Sequence, residues 1–493
     1  MRPRRLRASL LSACLLLLAL GLCSYAAGQP DVPATPAGQK LALLIQVVNS
    51  GDRGRFRAFV QENYNQEFLA VAPLEEHVNI LSQVYDGSRG VELKKLERSS
   101  ELSLAAIVQE KLTGSWAEWL VDVEQAPPHK IAGLDFRPSP PPGDQAPAKK
   151  ITAAEAVAEL AKDMDKLVAA DVFSGTVLLA KDGHPLFAKA YGLASKSFDV
   201  PNRLDTKFNL GSMNKMFTAV AVAQLVEHGQ LSYDDPVGRF LGPDWVAPET
   251  AKKVKVYHLL SHTSGLGSYF NEKFQRSSRL LFRNVDDYKS LAADDKSAFE
   301  PGTKWQYSNT GFLLLGAIIE KVTGRSYFDY VRENIFQPAG MVNTDSYEMD
   351  RPTPNLAVGY EKVFGPDGKP GFRNNIFDHV VKGGPAGGGF STVEDLLRFD
   401  IALRSNKLLK KETRELLMSA KPELKSPGYG YGFGLSVDEK LGRVAGHSGG
   451  FTGINSVLDM YLDAGYTVAV MSNYSSGAQP VGQKIRELLR SLI

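Results

Sequence analysis

The spacing of apolar residues predicts helices first and strands after them in the first third of the chain. In residues 41–84 apolar side chains recur every three to four positions, which is the helical period. The run Asn49-Ser50-Gly51-Asp52 interrupts this pattern and predicts the end of one helix and the cap of the next. From residue 90 the apolar positions alternate, which predicts the strands 91–93, 102–112, 116–123 and 131–136. Helices followed by a strand meander predict a small α+β domain over residues 41–137.

Proline marks the boundary after this domain. Residues 138–150 contain five prolines, which predicts a stiff linker. From residue 151 to residue 493 the pattern is typical of one large domain that begins with an alanine-rich helix over residues 153–170. A hairpin follows, with strands 175–180 and 185–191 joined at Lys181-Asp182-Gly183.

Helical periodicity then dominates from residue 212 to about residue 404, and strands return near the end of the chain. The late strands are predicted at 442–446, 453–461 and 466–472, before a last amphipathic helix over 481–492. Because strands occur at both ends of this domain, we expect an antiparallel sheet that closes late, helices packed on its faces, and an inserted helical lobe. The fold class is therefore α+β.

The first 28 residues are typical of a secretory signal peptide. Four arginines precede an apolar run over residues 10–22, and small residues follow it. This run is shorter than the roughly 20 residues that a membrane span needs, so we expect no stable span after cleavage and a secreted or periplasmic protein. Leu11-Ser12-Ala13-Cys14 is similar to a lipoprotein processing box, but Cys14 lies inside the apolar run, which favours the cleaved signal. Residues 29–40 are rich in proline and alanine and predict a disordered leader.

Composition excludes several classes of protein. With 43% hydrophobic and 23% charged residues in 493, the chain is globular and long enough for two or three domains. The net charge is +2, and removing the four early arginines leaves 53 basic against 55 acidic residues, with no basic stripe for nucleic acid. Both cysteines, Cys14 and Cys23, lie in the signal segment. A processed chain would therefore have no disulfide, no thiolate metal site and no cysteine nucleophile.

The first candidate for chemistry is Ser212, where a helical pattern begins, with Lys215 three residues later on the same face. A serine hydroxyl is a poor nucleophile until a base lies within hydrogen-bond reach, and a partly desolvated lysine can be that base. The N–H groups and the dipole at a helix start also favour developing negative charge. Taken alone, the pair equally fits a serine cap beside a solvated lysine.

The second candidate is Tyr307-Ser308-Asn309, which lies between the turn Glu300-Pro301-Gly302 and a helical run. We expect a neighbouring ammonium to lower the pKa of the phenol, which would then share the proton transfers, while the Asn309 amide orients a substrate carbonyl. Tyr269-Phe270-Asn271 has the same spacing without the flanking turn and helix, and we interpret it as a decoy. The alternative for either tyrosine is a core residue with a locally satisfied hydroxyl.

The third candidate is the glycine-rich strand segment Gly446-His447-Ser448-Gly449-Gly450. Glycine weakens a strand unless a backbone or a ligand must approach closely, and an unobstructed strand edge can offer an N–H to a substrate oxygen. A lone histidine in such a strand is otherwise structural. Two further histidines, His258 and His262, fit packing and capping better than catalysis. We find no cluster with metal-ligand spacing and expect no cofactor.

Together the motifs S-x-x-K, Y-x-N and H-x-G resemble the motif set of class C β-lactamase-like serine hydrolases, which include penicillin-binding proteins, D-alanyl-D-alanine carboxypeptidases and related esterases. Ser212 and Tyr307 are 95 residues apart, and Tyr307 and His447 are 140 apart, which suits that branch. Three further stretches are similar to it: residues 258–266, 384–391 and 429–434. The resemblance covers residues 173–490. Residues 41–137 loosely resemble nuclear-transport-factor-2-like cone folds.

The resemblance implies a role for each matching residue. Ser212 matches the nucleophile that forms the acyl-enzyme, Lys215 its paired base, and Tyr307 the tyrosine that exchanges protons with the nucleophile and the leaving group. Asn309, His447, Ser448 and Gly449 match substrate-binding positions. The N–H groups of Ser212 and Gly450 match the oxyanion hole.

His447 departs from the family pattern, because β-lactamases of this class have lysine there. An imidazole is largely neutral at pH 7 and is a poorer partner for the carboxylate of a β-lactam. We therefore expect a serine hydrolase acting on small esters, amides or D-amino-acid peptides. A true β-lactamase and a non-catalytic peptidoglycan-binding or sensor protein are the alternatives, and the oligomeric state stays open.

Overall fold

A computed structural model of the protein describes residues 31–71, 74–142, 150–365 and 370–493. The predicted signal peptide, residues 1–28, lies outside the described residues, as do residues 143–149 of the predicted linker. The contacts between residues divide the chain into two compact units. The first consists of Met1–Ser82 and Gly90–Pro142, and the second consists of Gln83–Arg89 and Gly143–Ile493. No described helix is both long enough and apolar enough to cross a bilayer.

Before Pro142 the chain forms four helices and then a four-stranded antiparallel meander. The helices are α1 (Pro36–Ser50), α2 (Arg53–Asn63), α3 (Gln66–Ala70) and α4 (Leu74–Ser88). The strands, which pair in the order β1-β2-β3-β4, are β1 (Val91–Ser99), β2 (Ser103–Glu110), β3 (Trp116–Val123) and β4 (Ile131–Pro138). The predicted change from helices to strands near residue 90 is confirmed. The resemblance to cone folds stays a prediction.

Two details of this part concern the predicted boundaries. Asp52 caps α2 by accepting the N–H of Arg55, as the interruption in the pattern predicted. The disordered leader over residues 29–40 is wrong for residues 36–40, because α1 begins at Pro36. Thr35 accepts the N–H of Gly38, and a proline in the first turn has no N–H that needs a partner. The segment rich in proline and alanine therefore contains the start of a helix.

The second unit is built around a six-stranded antiparallel sheet in the order β13-β14-β15-β16-β5-β6. Its first two strands, β5 (Gly175–Lys181) and β6 (His184–Tyr191), follow helix α5 (Ala153–Ala169). Strand β5 pairs with β16, which comes almost 300 residues later, so the sheet closes late as predicted. The late strands are β13 (Gly434–Asp438), β14 (Gly442–Phe451), β15 (Ile454–Tyr461) and β16 (Tyr466–Ser472), and helix α16 (Ala478–Arg490) follows them.

Helices and short strands lie between these two halves of the sheet. The short strands are β7 (Leu193–Ser195), β8 (Val200–Pro201), β9 (Phe208–Asn209), β10 (Tyr360–Phe364), β11 (Pro370–Asn374) and β12 (Phe390–Ser391). The helices are α6 (Asn214–Glu227), α7 (Pro248–Lys253), α8 (Val256–Leu260), α9 (Glu272–Arg276), α10 (Lys289–Ala293), α11 (Asn309–Thr323), α12 (Tyr327–Val331), α13 (Gln337–Ala339), α14 (Val393–Arg404) and α15 (Lys411–Leu417). The helical lobe is confirmed. The ribbon of β10 and β11 within it was not predicted, because these short, polar strands lack alternation.

Helix α6 lies at the centre of the hydrophobic core. Every residue from Asn214 to Leu225 is buried, so the helix is covered on all sides. Helix α11 is similarly enclosed, with Thr310 to Ile319 buried. The predicted Ser-Lys and Tyr-Asn motifs lie at the starts of these two helices: Lys215 and Asn309 are in the first turns, and Ser212 and Tyr307 come just before them. A polar side chain in either turn is therefore held in a largely apolar, rigid surrounding.

Strand β14 lies unusually close to the turn that precedes α6, and glycine makes this possible. A Cβ atom on Gly449 would lie 2.0 Å from the carbonyl oxygen of Leu210 and 2.4 Å from Oγ of Ser456. We expect Gly449→Ala to push β14 away from this turn and to lower the free energy of unfolding by about 1–3 kcal/mol, as overpacking does.

Urea denaturation measures this loss. The exposed glycine Gly428, where an added Cβ would meet only one atom, 4.0 Å away, is the matched control for the substitution. An unchanged urea midpoint for Gly449→Ala would contradict the close approach.

Candidate active site

Ser212 lies in a tight turn that runs directly into α6. Residues Gly211–Met213 form a 3₁₀ turn, and the capping positions of this turn and of α6 are Leu210 and Met213, neither of which caps with its side chain. Ser212 is therefore not a helix cap. Gly211 has φ +51°, and a Cβ there would lie 2.9 Å from both Cα of Gly449 and N of Gly450. The glycines bring the backbone of β14 next to the serine.

The amine of Lys215 is completely buried beneath Ser212. Its Nζ atom lies 3.0 Å from Oγ of Ser212, 2.8 Å from Oδ1 of Asn309 and 2.6 Å from the carbonyl oxygen of Ala386. Removal from water lowers the pKa of Lys215 well below 10.5. A neutral amine has two N–H groups for Asn309 and Ala386 and directs its lone pair at the hydroxyl of Ser212. In this arrangement the amine is within reach to act as a base toward the hydroxyl.

Tyr307 and Asn309 are positioned by the start of α11. Ser308 caps that helix by accepting the N–H of Gly311, so the residues on either side of it are fixed. The Tyr307 side chain hydrogen-bonds Ser212, and the Lys215 amine lies 4.8 Å from the centre of its ring. Burial raises the pKa of Tyr307 to about 12. The prediction that an ammonium would lower this pKa is wrong, because desolvation dominates.

His447 lies on β14 with both ring nitrogens engaged by the protein. Its Nδ1 is 2.6 Å from the carbonyl oxygen of Ser448, which can only accept, so Nδ1 carries the proton. Nε2 then accepts the hydroxyl proton of Tyr429 at 3.0 Å. Loss of water around this half-buried ring, with Lys215 nearby, lowers the pKa of His447 to about 3. A neutral ring with no free nitrogen offers nothing to a substrate carboxylate.

His258 and His262 were interpreted as packing and capping residues, and the structure shows both roles. His258 accepts the backbone N–H of Lys255 at the start of α8. His262 is fully buried with φ +61°, and its Nδ1 accepts the N–H of Ser308 at 3.0 Å. Its ring packs 4.3 Å from that of Tyr307 and 4.6 Å from that of Tyr429. The sequence did not indicate that His262 holds the Tyr-Ser-Asn segment from behind.

A cavity opens beside Ser212. Asn309 and Gly450 also line it, and a Cβ on Gly450 would meet nothing within 4 Å, so this end of β14 faces open space. Ser212 and Gly450, the two residues whose N–H groups are the predicted oxyanion hole, thus line one cavity. The motif Tyr269-Phe270-Asn271, which was interpreted as a decoy, is not bonded to Ser212. Tyr269 lines the cavity, and the Asn271 side chain caps α9 by accepting an N–H.

Several residues of the site were not predicted. The Ala386 carbonyl fixes the Lys215 amine, the Ser268 hydroxyl accepts from Nδ2 of Asn309 at 3.2 Å, and Tyr429 binds His447. Two of them lie in the stretches 384–391 and 429–434, whose resemblance to a family was the available signal.

Within the described ranges no three acidic, histidine or cysteine side chains are grouped to hold a metal ion.

Comparison with known proteins agrees with this geometry. The family model described as Beta-lactamase matches residues 154–491, about two thirds of the chain. The protein therefore belongs to the beta-lactamase family, whose members include serine hydrolases.

A penicillin-binding protein of Bacillus subtilis (strain 168) is 34% identical over 317 residues, covering 61% of this chain and 68% of the relative. Esterase EstB of Burkholderia gladioli is 31% identical over 289 residues, covering 52% and 73%. The crystal structure of a penicillin-binding protein from Bacillus halodurans superposes with a TM-score of 0.58 at 29% identity, covering 68% of this chain and 99% of the other.

The buried amine predicts a particular pH dependence. If neutral Lys215 is the base, kcat/KM rises with pH as the amine loses its proton, and burial places this rise well below pH 10.5. Measuring kcat/KM for an uncharged ester from about pH 5 to about pH 11, with Ser212→Ala as the background control, locates the rise. A rise centred near pH 10.5 would show that the amine is protonated at neutral pH.

The contacts of His262 predict a positioning role that two variants separate. His262→Asn keeps an acceptor for the N–H of Ser308, and asparagine tolerates a positive φ. His262→Phe keeps a ring but leaves that buried N–H unpaired, at a cost of about 1–3 kcal/mol. We expect kcat to fall by about 10- to 100-fold in His262→Phe with little change in KM, and to fall less in His262→Asn. Steady-state kinetics on folded variants checks this, and equal losses in both would contradict the role of the acceptor.

Proposed function

We propose that the protein is a serine hydrolase that transfers the acyl group of a small ester, amide or D-amino-acid peptide to Ser212 and then to water. The observation that carries the proposal is the 3.0 Å approach of the buried Lys215 amine to the Ser212 hydroxyl. Burial lowers the pKa of Lys215, which favours the neutral amine, and a neutral amine at that distance can act as a base toward the hydroxyl.

The reaction proceeds in two balanced steps. Oγ of Ser212 forms a bond to the substrate carbonyl carbon, and its proton passes to Lys215 and, through Tyr307, to the departing alcohol or amine. With a pKa of about 12, Tyr307 remains protonated and serves as a proton carrier. The N–H groups of Ser212 and Gly450 stabilise the oxyanion. Water then attacks the carbonyl carbon of the ester on Ser212, and the bond between that carbon and Oγ breaks. One proton of the water passes through Lys215 to Oγ, which restores the serine hydroxyl as the carboxylic acid leaves.

A β-lactamase activity is the weaker candidate. β-Lactams carry a carboxylate, and the part of the cavity lining that the structure describes contains no lysine or arginine. His447, which stands in the position of the family lysine, is neutral and fully hydrogen-bonded. A carboxylate brought into this cavity would lose water without gaining a partner. Both features favour uncharged esters and amides over substrates that carry a carboxylate.

The location of the protein is part of the proposal. The arginine-led apolar segment at residues 1–28 supports export, and we propose that the processed enzyme acts in the periplasm or outside the cell.

Covalent labelling tests the nucleophile. We expect a fluorophosphonate to modify the protein at one residue, and Ser212→Ala to abolish the modification, because among the described residues that hydrogen-bond the Lys215 amine only Ser212 carries a hydroxyl. Intact-mass spectrometry after incubation with an activated ester should show one added acyl group in the wild type and none in the variant. Ser264→Ala, which removes another buried serine, is the matched control and should still be labelled.

Three results would change the assignment. Labelling of Ser212→Ala would place the nucleophile elsewhere, and absence of any acyl-enzyme would favour the non-catalytic alternative. Turnover of nitrocefin at rates comparable with those of neutral esters would favour the β-lactamase.

A further inference from the structure

The cavity beside Ser212 has aromatic walls that the proposed chemistry does not require. The aromatic side chains that line it are Tyr269, Phe270, Phe274, Tyr288 and Phe451. They come from the segment around α9 and α10 and from the end of β14, so distant parts of the chain converge on the cavity. Aromatic rings supply large apolar contact area with few rotatable bonds, which suits a binding surface for an apolar group.

Two of these rings lie at the mouth of the cavity. Phe270 and Phe451 are 37% and 39% exposed, whereas Phe274 and Tyr288 are almost completely buried behind them. The Phe270 and Phe451 rings stack with centres 5.8 Å apart at 28°, and Phe451 also packs 4.9 Å from His379. When a ligand covers partly exposed apolar rings that line a cavity, the removal of their surface from water favours binding.

The cavity is electrically neutral. Among its described lining residues Asp378 alone carries a formal charge, and Arg373 pairs with it at 3.1 Å. Burial lowers the pKa of His379 and raises the pKa values of Tyr269 and Tyr288, so all three stay uncharged near pH 7. An anion that entered this cavity would lose its hydration without gaining a free partner. An uncharged ring has little hydration to lose.

The position of Tyr307 indicates which half of the substrate enters. Ser212 and Gly450 line the cavity, but Tyr307 and Lys215, which deliver the proton to the leaving group, do not. The leaving group must therefore depart on the Tyr307 side. The acyl part, which stays bonded to Ser212, is the part that faces the aromatic walls.

From these contacts we propose that the aromatic cavity is the acyl-binding subsite, and that the preferred substrates are esters or amides of uncharged acids carrying an aromatic ring. This inference rests on the proposed function and names the substrate class of the same site. The ring passes the stacked pair Phe270 and Phe451 at the mouth and packs against the buried rings behind them, while the carbonyl oxygen points to the N–H groups of Ser212 and Gly450.

Two isomeric esters test which side holds the ring. Methyl phenylacetate carries its ring on the acyl side and benzyl acetate carries it on the alcohol side, with the same atoms. We expect kcat/KM for methyl phenylacetate to be higher by about 10- to 100-fold, as burial of one ring allows, when acid release is followed in a pH-stat. A methyl phenylacetate with a carboxylate on its ring should lose most of this advantage.

Variants of the two mouth rings test the walls. The ratio of the two kcat/KM values should fall by about tenfold in Phe451→Ala and Phe270→Ala, and by less in Phe451→Leu, which keeps apolar volume and protects the fold. Phe198, which is 82% exposed and does not line the cavity, provides the control: Phe198→Ala should keep the wild-type ratio. Fluorophosphonate labelling of Ser212 counts the folded, competent sites in every sample.

The outcomes separate this inference from the function on which it rests. If Ser212 is labelled and both esters are hydrolysed with a ratio near one, or if benzyl acetate is preferred, the acyl subsite is overturned and the serine hydrolase stands. Mouth variants that change the ratio no more than Phe198→Ala also overturn it. If no Ser212-dependent hydrolysis of any ester occurs, both proposals fall.

Discussion

The burial of one amine organises this active site. Lys215 lies in the first turn of a helix that is enclosed on all sides, and its Nζ is surrounded by Ser212, Asn309 and Ala386, each from a different segment of the chain. A charged amine in such a place is costly, so the environment that fixes its position also lowers its pKa. The three contacts bring the start of α6, the start of α11 and the loop before β12 to one point.

The second constraint is the close approach of a strand to a turn. Gly211 and Gly449 face each other without side chains, which lets the end of β14 pass next to Ser212. The sheet and the helical lobe meet along this line, and Ser212 and Gly450 consequently line one cavity. A catalytic centre at such a junction takes its groups from both parts, and small displacements of either part would change its geometry.

The third feature is a ring cluster that keeps the site uncharged. His262 packs against Tyr307 and Tyr429, and Tyr429 donates its hydroxyl proton to His447. Burial raises the pKa of both tyrosines and lowers that of both histidines, so all four stay neutral. A neutral site suits proton exchange between Ser212, Lys215 and Tyr307 better than it suits the capture of an anionic substrate.

Local sequence was enough to predict much of this arrangement. Lys215 comes three positions after Ser212, and that spacing alone predicts that the two side chains lie on one face of a helix. The alternation near both ends of the second unit indicated the late-closing antiparallel sheet, and the motif set by itself indicated the family. By contrast, the pKa of Tyr307, the two engaged nitrogens of His447 and the aromatic cavity depend on partners that lie far along the chain. Desolvation and packing are properties of neighbours in space, and periodicity over a few residues carries no information about which distant segments become those neighbours.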